Sequence, residues 1–329
     1  MSAPRDPAIG VDIGGTKIAA ALVGSDGSVL ESAEVPTPAV ADRVAETVAD
    51  LVASLGADHP ELGPVATIGV GAAGFVDVDR STVTFAPNIA WRDEPLGRRL
   101  EHLTGRSVVV ENDANAAAWG EFRFGAGSDI DDMVLVTVGT GVGGGIVHRG
   151  ELVRGGFGAA GEIGHLRVVR DGRLCGCGRR GCFEQYASGS ALVTAARERL
   201  TGGGAATAAL ARAAGDPADV TGPMITTLAQ DGDPLAIDLL AELGQWLGEG
   251  CADLVAVLDP RVIAIGGGVA AAGELLLEPV RAAFEAHLPA AGHRRAAEIR
   301  LATLGQRAGL LGAADLGRRA PTTSRERAQ

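Results

Sequence analysis

Val11-Asp12-Ile13-Gly14-Gly15-Thr16-Lys17 and, about 125 residues later, Val136-Thr137-Val138-Gly139-Thr140-Gly141-Val142 share one form. An apolar, β-branched run enters a turn of small residues, and a second apolar run leaves it. Branched side chains suit a pleated strand, and glycines let the chain reverse tightly. Residues 8–13 read as a buried strand, Ile18–Val23 as its return, and Asp26-Gly27 as a turn into a third strand over Val29–Val35. The later copy reads as a strand over Met133–Val138 with its return at Ile146–His148. Two such hairpins imply an internal repeat: a duplicated α/β lobe, with the turns facing each other across a cleft.

The turns also suggest chemistry. Glycines bring backbone N–H groups close enough to hold a phosphate, which makes Gly14, Gly15, Thr16, Gly139, Thr140 and Gly141 candidates. Asp12, at a strand end, is placed to hold Mg²⁺ through water. The first turn is neither a Walker A loop nor a dinucleotide-binding G-x-G-x-x-G. Lys17 stands out because the chain's 29 basic residues are otherwise all arginine. A compact ammonium fits between phosphates where a guanidinium fork would not.

Between the two turns the pattern is that of alternating strands and helices. Residues 39–56 form an amphipathic helix, and Val65–Gly71 a buried strand opening into Gly71-Ala-Ala-Gly74. Pro87-Asn88-Ile-Ala-Trp91 reads as a loop in which Asn88 can be a polar ligand. Pro95 starts a short helix that Gly105 closes. The strand Val108–Val110 runs into Glu111-Asn112-Asp113-Ala-Asn115. Asn112 and Asp113 thus stand at a strand C-terminus and helix N-terminus, where α/β sheets place their sites. Asp113 can accept a proton from a substrate hydroxyl, and the same position suits an N-cap. The two roles are compatible.

Gly161-Glu162-Ile-Gly-His165 and Cys175-Gly-Cys177-Gly-Arg-Arg-Gly-Cys182-Phe-Glu184 hold three of the four cysteines. Three thiolates and one imidazole suit a closed, tetrahedral, structural Zn²⁺ site. Such a site leaves no open position for water. Its role would be to hold a loop that presents Glu162, His165 and Glu184. Helices follow around 188–200, 205–213 and 222–230, with a longer one from Pro234 to Leu258. Val262–Ile265 then reads as a strand into Gly266-Gly267-Gly268 and a helix to about His287. A glycine run between strand and helix is an anion or nucleotide site. A last strand covers Ile299–Thr303 and a last helix Leu310–Arg319; residues 320–329 read as a disordered tail.

The composition bounds the partners. Net charge is −12 and the hydrophobic fraction 46%. That argues against nucleic acid and anionic membrane surfaces. The start, Met1-Ser-Ala-Pro-Arg-Asp-Pro7, lacks a signal-peptide core, and no apolar run reaches membrane-spanning length. The expectation is a soluble cytoplasmic protein, which fits metal-binding thiols.

Taken together these motifs resemble the ROK family (repressors, open reading frames and sugar kinases), from about residue 8 to 319. The strings are Asp12–Lys17, Pro87-Asn88…Trp91, Glu111–Asn115, Gly139–Gly145, Gly161–His165, the Cys175–Glu184 run and Ile265–Gly268. The likeness is greatest to its zinc-bearing actinobacterial glucokinases. It implies an actin-like, ribonuclease-H-like fold: an N-terminal α/β lobe over 1–112, joined by helix 304–319, and a C-terminal lobe over 113–303 with the zinc segment at 161–184. It implies ATP with Mg²⁺, and transfer of the γ-phosphoryl group to the 6-hydroxyl of glucose. Asp113 resembles the general base. Gly74, Asn88, Asn112, Asp113, Glu162, His165 and Glu184 resemble the sugar site. His165, Cys175, Cys177 and Cys182 resemble the zinc ligands, and Gly266, Gly267 and Gly268 a nucleotide-side turn. A homo-oligomer, dimer or tetramer, is also implied. N-Acetylglucosamine, N-acetylmannosamine or fructose as acceptor, polyphosphate as donor, and a sugar-sensing regulator remain open alternatives.

Overall fold

Both glycine turns close hairpins of equal length. In the computed structural model, which describes residues 6–55, 65–86, 89–204 and 207–319, each turn leaves three residues between its strands. The chain runs β1 (Ala8–Ile13), β2 (Lys17–Val23), β3 (Val29–Pro36), α1 (Val44–Ser54), β4 (Thr67–Ala72), β5 (Phe75–Val76) and β6 (Val83–Ala86). It continues with β7 (Trp91–Glu94), α2 (Leu96–Thr104), β8 (Ser107–Asn112), α3 (Asp113–Phe124), β9 (Met133–Val138), β10 (Val142–His148) and β11 (Glu151–Leu152). Then come α4 (Glu184–Ala187), α5 (Gly189–Gly202), α6 (Ala208–Ala214), α7 (Gly222–Gln230) and α8 (Pro234–Leu258). The last elements are β12 (Val262–Gly266), α9 (Glu274–His287), β13 (Glu298–Leu301) and α10 (Ala308–Arg319).

One sheet has the order β3-β2-β1-β4-β8 and another β11-β10-β9-β12-β13. These are the same order: a three-strand antiparallel meander, then two strands parallel to its first. In the first sheet β1 pairs antiparallel with β2 and parallel with β4, which pairs parallel with β8. In the second, β12 pairs parallel with both β9 and β13. The internal repeat read from the two turns is therefore a repeat of strand order. A third sheet, β5-β6-β7, is a small antiparallel addition where the sequence suggested loops.

The described residues divide into two compact units. The first takes those up to Asp129, Gly145–Gly161 and those from Leu304; the second takes Ile130–Gly144 and Glu162–Thr303. The boundary expected at 112 thus falls after Asp129, because α3 packs on α10 and on β4 within the first unit. The expected tail 320–329, Asn88 and the helix end at Gly56 lie outside the described residues.

In the first unit the period of two along β1 sorts its residues. Ile9, Val11 and Ile13 join Ile18, Leu22, Val48, Leu51, Leu96 and Leu100 in one core. Ala8, Gly10 and Asp12 take the other face, where Ala8, Ala21 and Val23 meet Leu310, Leu311 and Ala314 of α10. There α10 touches the sheet backbone to backbone. A Cβ on Gly10 would lie 2.0 Å from the Leu310 carbonyl oxygen, and one on Gly69 would lie 1.7 Å from that of Ala313. A Cβ on Gly312 would lie 1.7 Å from the Ala116 carbonyl oxygen of α3. Two buried acids pin this helix pair. Glu121 accepts from the N–H groups of Leu304 (2.7 Å) and Ala126 (2.9 Å). Asp315 accepts from Trp119 Nε1 (2.9 Å) and pairs with Arg123, Arg318 and Arg319.

In the second unit α8 starts on the Asp233 cap with Pro234 at its first turn and stops at Asp259, which takes a left-handed conformation. It lies against α9, with Gly244 and Gly248 at the closest approach: a Cβ on Gly248 would meet the Val280 carbonyl oxygen at 2.4 Å. Its other neighbour is the cysteine segment. Phe183 lies against Gly250, and Tyr186 packs its ring 4.8 Å from that of Trp246.

Substituting Gly312→Ala or Gly69→Ala forces a methyl group into a carbonyl oxygen, so each should destabilise by about 1–3 kcal/mol or more. Gly202→Ala, at an open helix end, should be neutral or slightly stabilising. Urea midpoints of the three variants check this ordering.

Candidate active site and metal centre

The first turn is closed by Gly14 N–H donating to the Lys17 carbonyl at 3.0 Å. Just before it, on the α10 face of β1, lies Asp12. Glycine at 309 leaves room there: a Cβ at that position would be 3.3 Å from the Asp12 carboxylate. Burial, and then repulsion from the Asp113 carboxylate, push the Asp12 carboxyl up to about 6, partly offset by Lys17. Lys17 itself is half-exposed and held sideways. Its Nζ donates to Glu34 Oε2 at 3.1 Å and to Gln306 Oε1 at 3.4 Å. The sequence marked Lys17 as a phosphate ligand; in the structure it is held by these two groups.

The strand-to-helix junction divides its work between neighbours. Asn112, not Asp113, is the N-cap of α3: its Oδ1 accepts from Asn115 N–H at 3.0 Å. Its Nδ2 donates to the Gly74 carbonyl and to Asp113 Oδ1, both at 3.1 Å. That uses both amide protons and fixes the Asp113 carboxylate, which also accepts from Ala114 N–H at 2.9 Å. Burial pushes the Asp113 carboxyl upward, and these hydrogen bonds oppose it. Gly74 has a φ of +150°, and a Cβ there would meet the Phe85 carbonyl oxygen at 2.5 Å. Asp12, Gly74, Asn112 and Asp113 therefore form one constellation in the first unit. A carboxylate held this way, with an elevated proton affinity, can take a proton from a hydroxyl.

In the second unit the four metal-site candidates come together. One ligand atom each from His165, Cys175, Cys177 and Cys182 all lie within 4.8 Å of one another. Cys177 and Cys182 sulfurs are 3.6 Å apart, and Cys175 Sγ is 3.7 Å from His165 Nδ1. Around a tetrahedral ion with Zn–S bonds of about 2.3 Å, sulfurs sit about 3.8 Å apart. Spacing and donor chemistry thus both fit zinc. Nδ1 is the imidazole nitrogen on the sulfur side, while Nε2 lies 4.0 Å from Glu162 Oε2. Glu184 Oε1 accepts from the Cys175 thiol at 2.9 Å. Burial first, then Glu184, hold that thiol well above the usual range.

The second turn adjoins the same group. A Cβ on Gly141 would lie 2.8 Å from Glu184 Oε2, so only glycine leaves space for that carboxylate. Gly139 accepts from Gly189 N–H at 2.8 Å, and Gly267 (φ +85°) lies against Val138. Gly139–Gly141 and Gly266–Gly268 are thereby gathered at the ends of β9 and β12. Cys251 is buried in α8, away from the metal-site candidates. Sequence reading missed Glu111, Arg80 and Arg154. The first has a visible signal, a carboxylate closing an apolar strand; the arginines have none, since their partner is distant in sequence.

Known proteins resemble this chain in sequence and fold. The ROK family pattern matches residues 8–320. A glucokinase of Streptomyces coelicolor is 47% identical over 94% of this chain and 97% of its own. N-Acetylmannosamine kinase of Escherichia coli is 37% identical over 93% of this chain and 96% of its own. The crystal structure of a ROK family glucokinase from Streptomyces griseus, with glucose and AMPPNP, superposes with a TM-score of 0.86 at 48% identity. It covers 95% of this chain and 100% of that one. The fold is the actin-like α/β fold of ROK sugar kinases, and on a match running nearly end to end the chain belongs to the ROK family.

Proposed function

We propose that this protein is an ATP-dependent glucokinase, transferring the γ-phosphoryl group of ATP to the 6-hydroxyl of glucose to give glucose 6-phosphate and ADP. The observation that carries this reading is Asp113: a partly buried carboxylate at the first turn of α3, aimed by Asn112 and Ala114, in a chain nearly half identical to glucokinases. The 37% identity to an N-acetylmannosamine kinase favours that sugar as the second reading.

In this mechanism the protein mostly positions and neutralises. Asp113 accepts the proton of the 6-hydroxyl as the bond to phosphorus forms. Asn112, the Gly74 backbone, Asn88, Glu162, His165 and Glu184 would bind the remaining hydroxyls. Each hydroxyl both donates and accepts, so mixed carboxylate, amide and imidazole partners suit them. The N–H groups of Gly14, Gly15 and Thr16, and of Gly139, Thr140 and Gly141, would cradle phosphates, with Lys17 exchanging Glu34 for the nucleotide. Gly266–Gly268 would border the nucleotide. Mg²⁺ bound with ATP, near Asp12 through water, would supply charge neutralisation of the phosphoryl oxygens. Zinc held by His165, Cys175, Cys177 and Cys182 would fix the loop that carries Glu162, His165 and Glu184 and take no part in the chemistry. His165 would use one nitrogen for the metal and the other for the sugar. Among the described residues no helix is long and apolar enough to cross a membrane. We further infer a cytoplasmic homo-oligomer, dimer or tetramer, acting at the entry of glucose into glycolysis.

The test is kcat/KM with ATP over glucose, mannose, fructose, N-acetylglucosamine and N-acetylmannosamine, with polyphosphate as a parallel donor. Glucose with ATP should lead. Preference for an acetylated sugar would support the second reading, and absence of turnover on every sugar would point to a sensor.

Asp113→Asn should lower kcat by about 10²–10⁴-fold with folding intact, read by a coupled ADP assay; near wild-type turnover contradicts its role as base. Zinc removal, or Cys177→Ser, should weaken glucose binding at least about tenfold, as expected when a support of a bound group is lost. Calorimetry on folded, metal-free protein checks it.

Asp12→Asn separates stability from function. Between about pH 4 and 6 the folded chain retains a proton on Asp12 that the unfolded chain has released. Stability without Mg²⁺ therefore falls as pH rises through that window, by up to about 3 kcal/mol. The asparagine variant should lose this decline and gain stability at pH 7 while using Mg²⁺-ATP poorly. Urea unfolding at pH 4 and pH 7, with and without Mg²⁺, reads both effects.

A further inference from the structure

Glu111 closes the apolar strand β8 and is 1% exposed. A carboxylate so placed is costly unless every oxygen is paired. Oε1 accepts from Asn112 N–H at 3.0 Å and from Asn115 Nδ2 at 3.1 Å. Oε2 lies 2.8 Å from Arg154 Nε and 3.2 Å from Arg80 Nε. The two hydrogen-bonded neighbours bracket Asp113, one on each side. Asp113 is itself tethered to Asn112 and Ala114, so a tilt of this first helical turn swings its carboxylate.

Arg154 ties three things together. Its side chain is 12% exposed. Beyond the Glu111 pair, Nη1 donates to the Val78 carbonyl at 3.0 Å and Nη2 to that of Asp77 at 2.7 Å. Its own carbonyl accepts from Ala160 N–H at 3.0 Å. That bond closes a loop which rests on β5: Gly158, at φ +84°, would place a Cβ 2.4 Å from the Val76 carbonyl oxygen. The chain then passes through Gly161 into Glu162. The guanidinium keeps its Nε edge in ion-pair contact with the carboxylate while its two Nη groups donate to separate carbonyls, a span that a compact ammonium does not cover.

We propose that Arg154 is a positioning residue for phosphoryl transfer: through Glu111 it holds the Asn112 backbone on one side of Asp113 and the Asn115 side chain on the other, and so sets the direction of that carboxylate. The proposal rests on the reading of Asp113 as the general base. A purely structural ion pair would affect stability and leave the turnover of folded enzyme unchanged. A positioning residue affects kcat, because a displacement near 1 Å at a reacting group costs about 10²-fold.

The experiment compares full-length, zinc-loaded wild type with Arg154→Lys, Arg154→Ala and Arg154→Lys/Glu111→Gln. Arg154→Lys should unfold cooperatively and retain zinc. Its kcat should fall about 10- to 100-fold with the KM for ATP within roughly twofold of wild type. Arg154→Ala should recover part of its kcat in millimolar guanidinium. Adding Glu111→Gln to the lysine variant should cost little more, since the two groups act as one unit. Wild-type kcat in folded Arg154→Lys would overturn the proposal. So would equal, independent losses from the two sites. If Arg154→Ala fails to fold, Arg154→Lys decides alone. Wild type inactive on every sugar would overturn the kinase reading itself, and the positioning role with it; active wild type beside an unaffected Arg154→Lys overturns only the positioning role.

Discussion

The first unit depends on how closely the backbone of α10 approaches β1, β4 and α3. Nothing larger than a hydrogen fits on Gly10, Gly69 or Gly312 at that junction. Such an approach gains dispersion over many atoms and exposes helix and strand backbones directly to one another. It also bears on where Asp12 and Asp113 stand. Glycine at 309 leaves the space in which Asp12 stands, and the α3 that Gly312 touches begins at Asp113. The Asp113 carboxylate is then near enough to help raise the proton affinity of Asp12. Buried Glu121 and Asp315 hold the same helix pair at its two ends, each with its oxygens satisfied. Their cost is desolvation and their return is register, the best-attested use of buried charge.

The second unit solves a different problem. The segment that offers Glu162, His165 and Glu184 has little regular structure, so it has few backbone ladders to hold it. Four donor atoms stand at metal-binding spacing in its middle, and Phe183 and Tyr186 seat its end on α8. Glu184 then stands between a cysteine ligand and Gly141 of the second turn. A side chain at 141 would displace that carboxylate. The glycine therefore serves a neighbour as well as its own turn.

Much of this was legible in the sequence. The repeat of turn and strand announced the shared strand order, and the clustering of Cys175, Cys177 and Cys182 announced the metal site. Pro95, Gly105 and Pro234 marked helix ends through fixed φ and a left-handed glycine. What escaped has a physical reason. The strands of β5-β6-β7 are two to four residues long, too short to show a period. The lobe boundary moved because α3 follows tertiary packing, which local pattern does not report. Asn112 rather than Asp113 took the cap, a choice between two good caps that propensity cannot make. The Glu111–Arg154 pair joins positions 43 residues apart, and no local rule links them.

The central claim is that the chain moves a phosphoryl group from ATP to one particular hydroxyl of glucose. Following the purified, zinc-loaded protein with ATP, Mg²⁺ and ¹³C-glucose by ³¹P and ¹³C NMR tests it most directly. Stoichiometric ADP and phosphorylation at C6 alone are expected. Nucleotide left intact, ADP formed with free phosphate and unmodified sugar, or a phosphate at another carbon would contradict it.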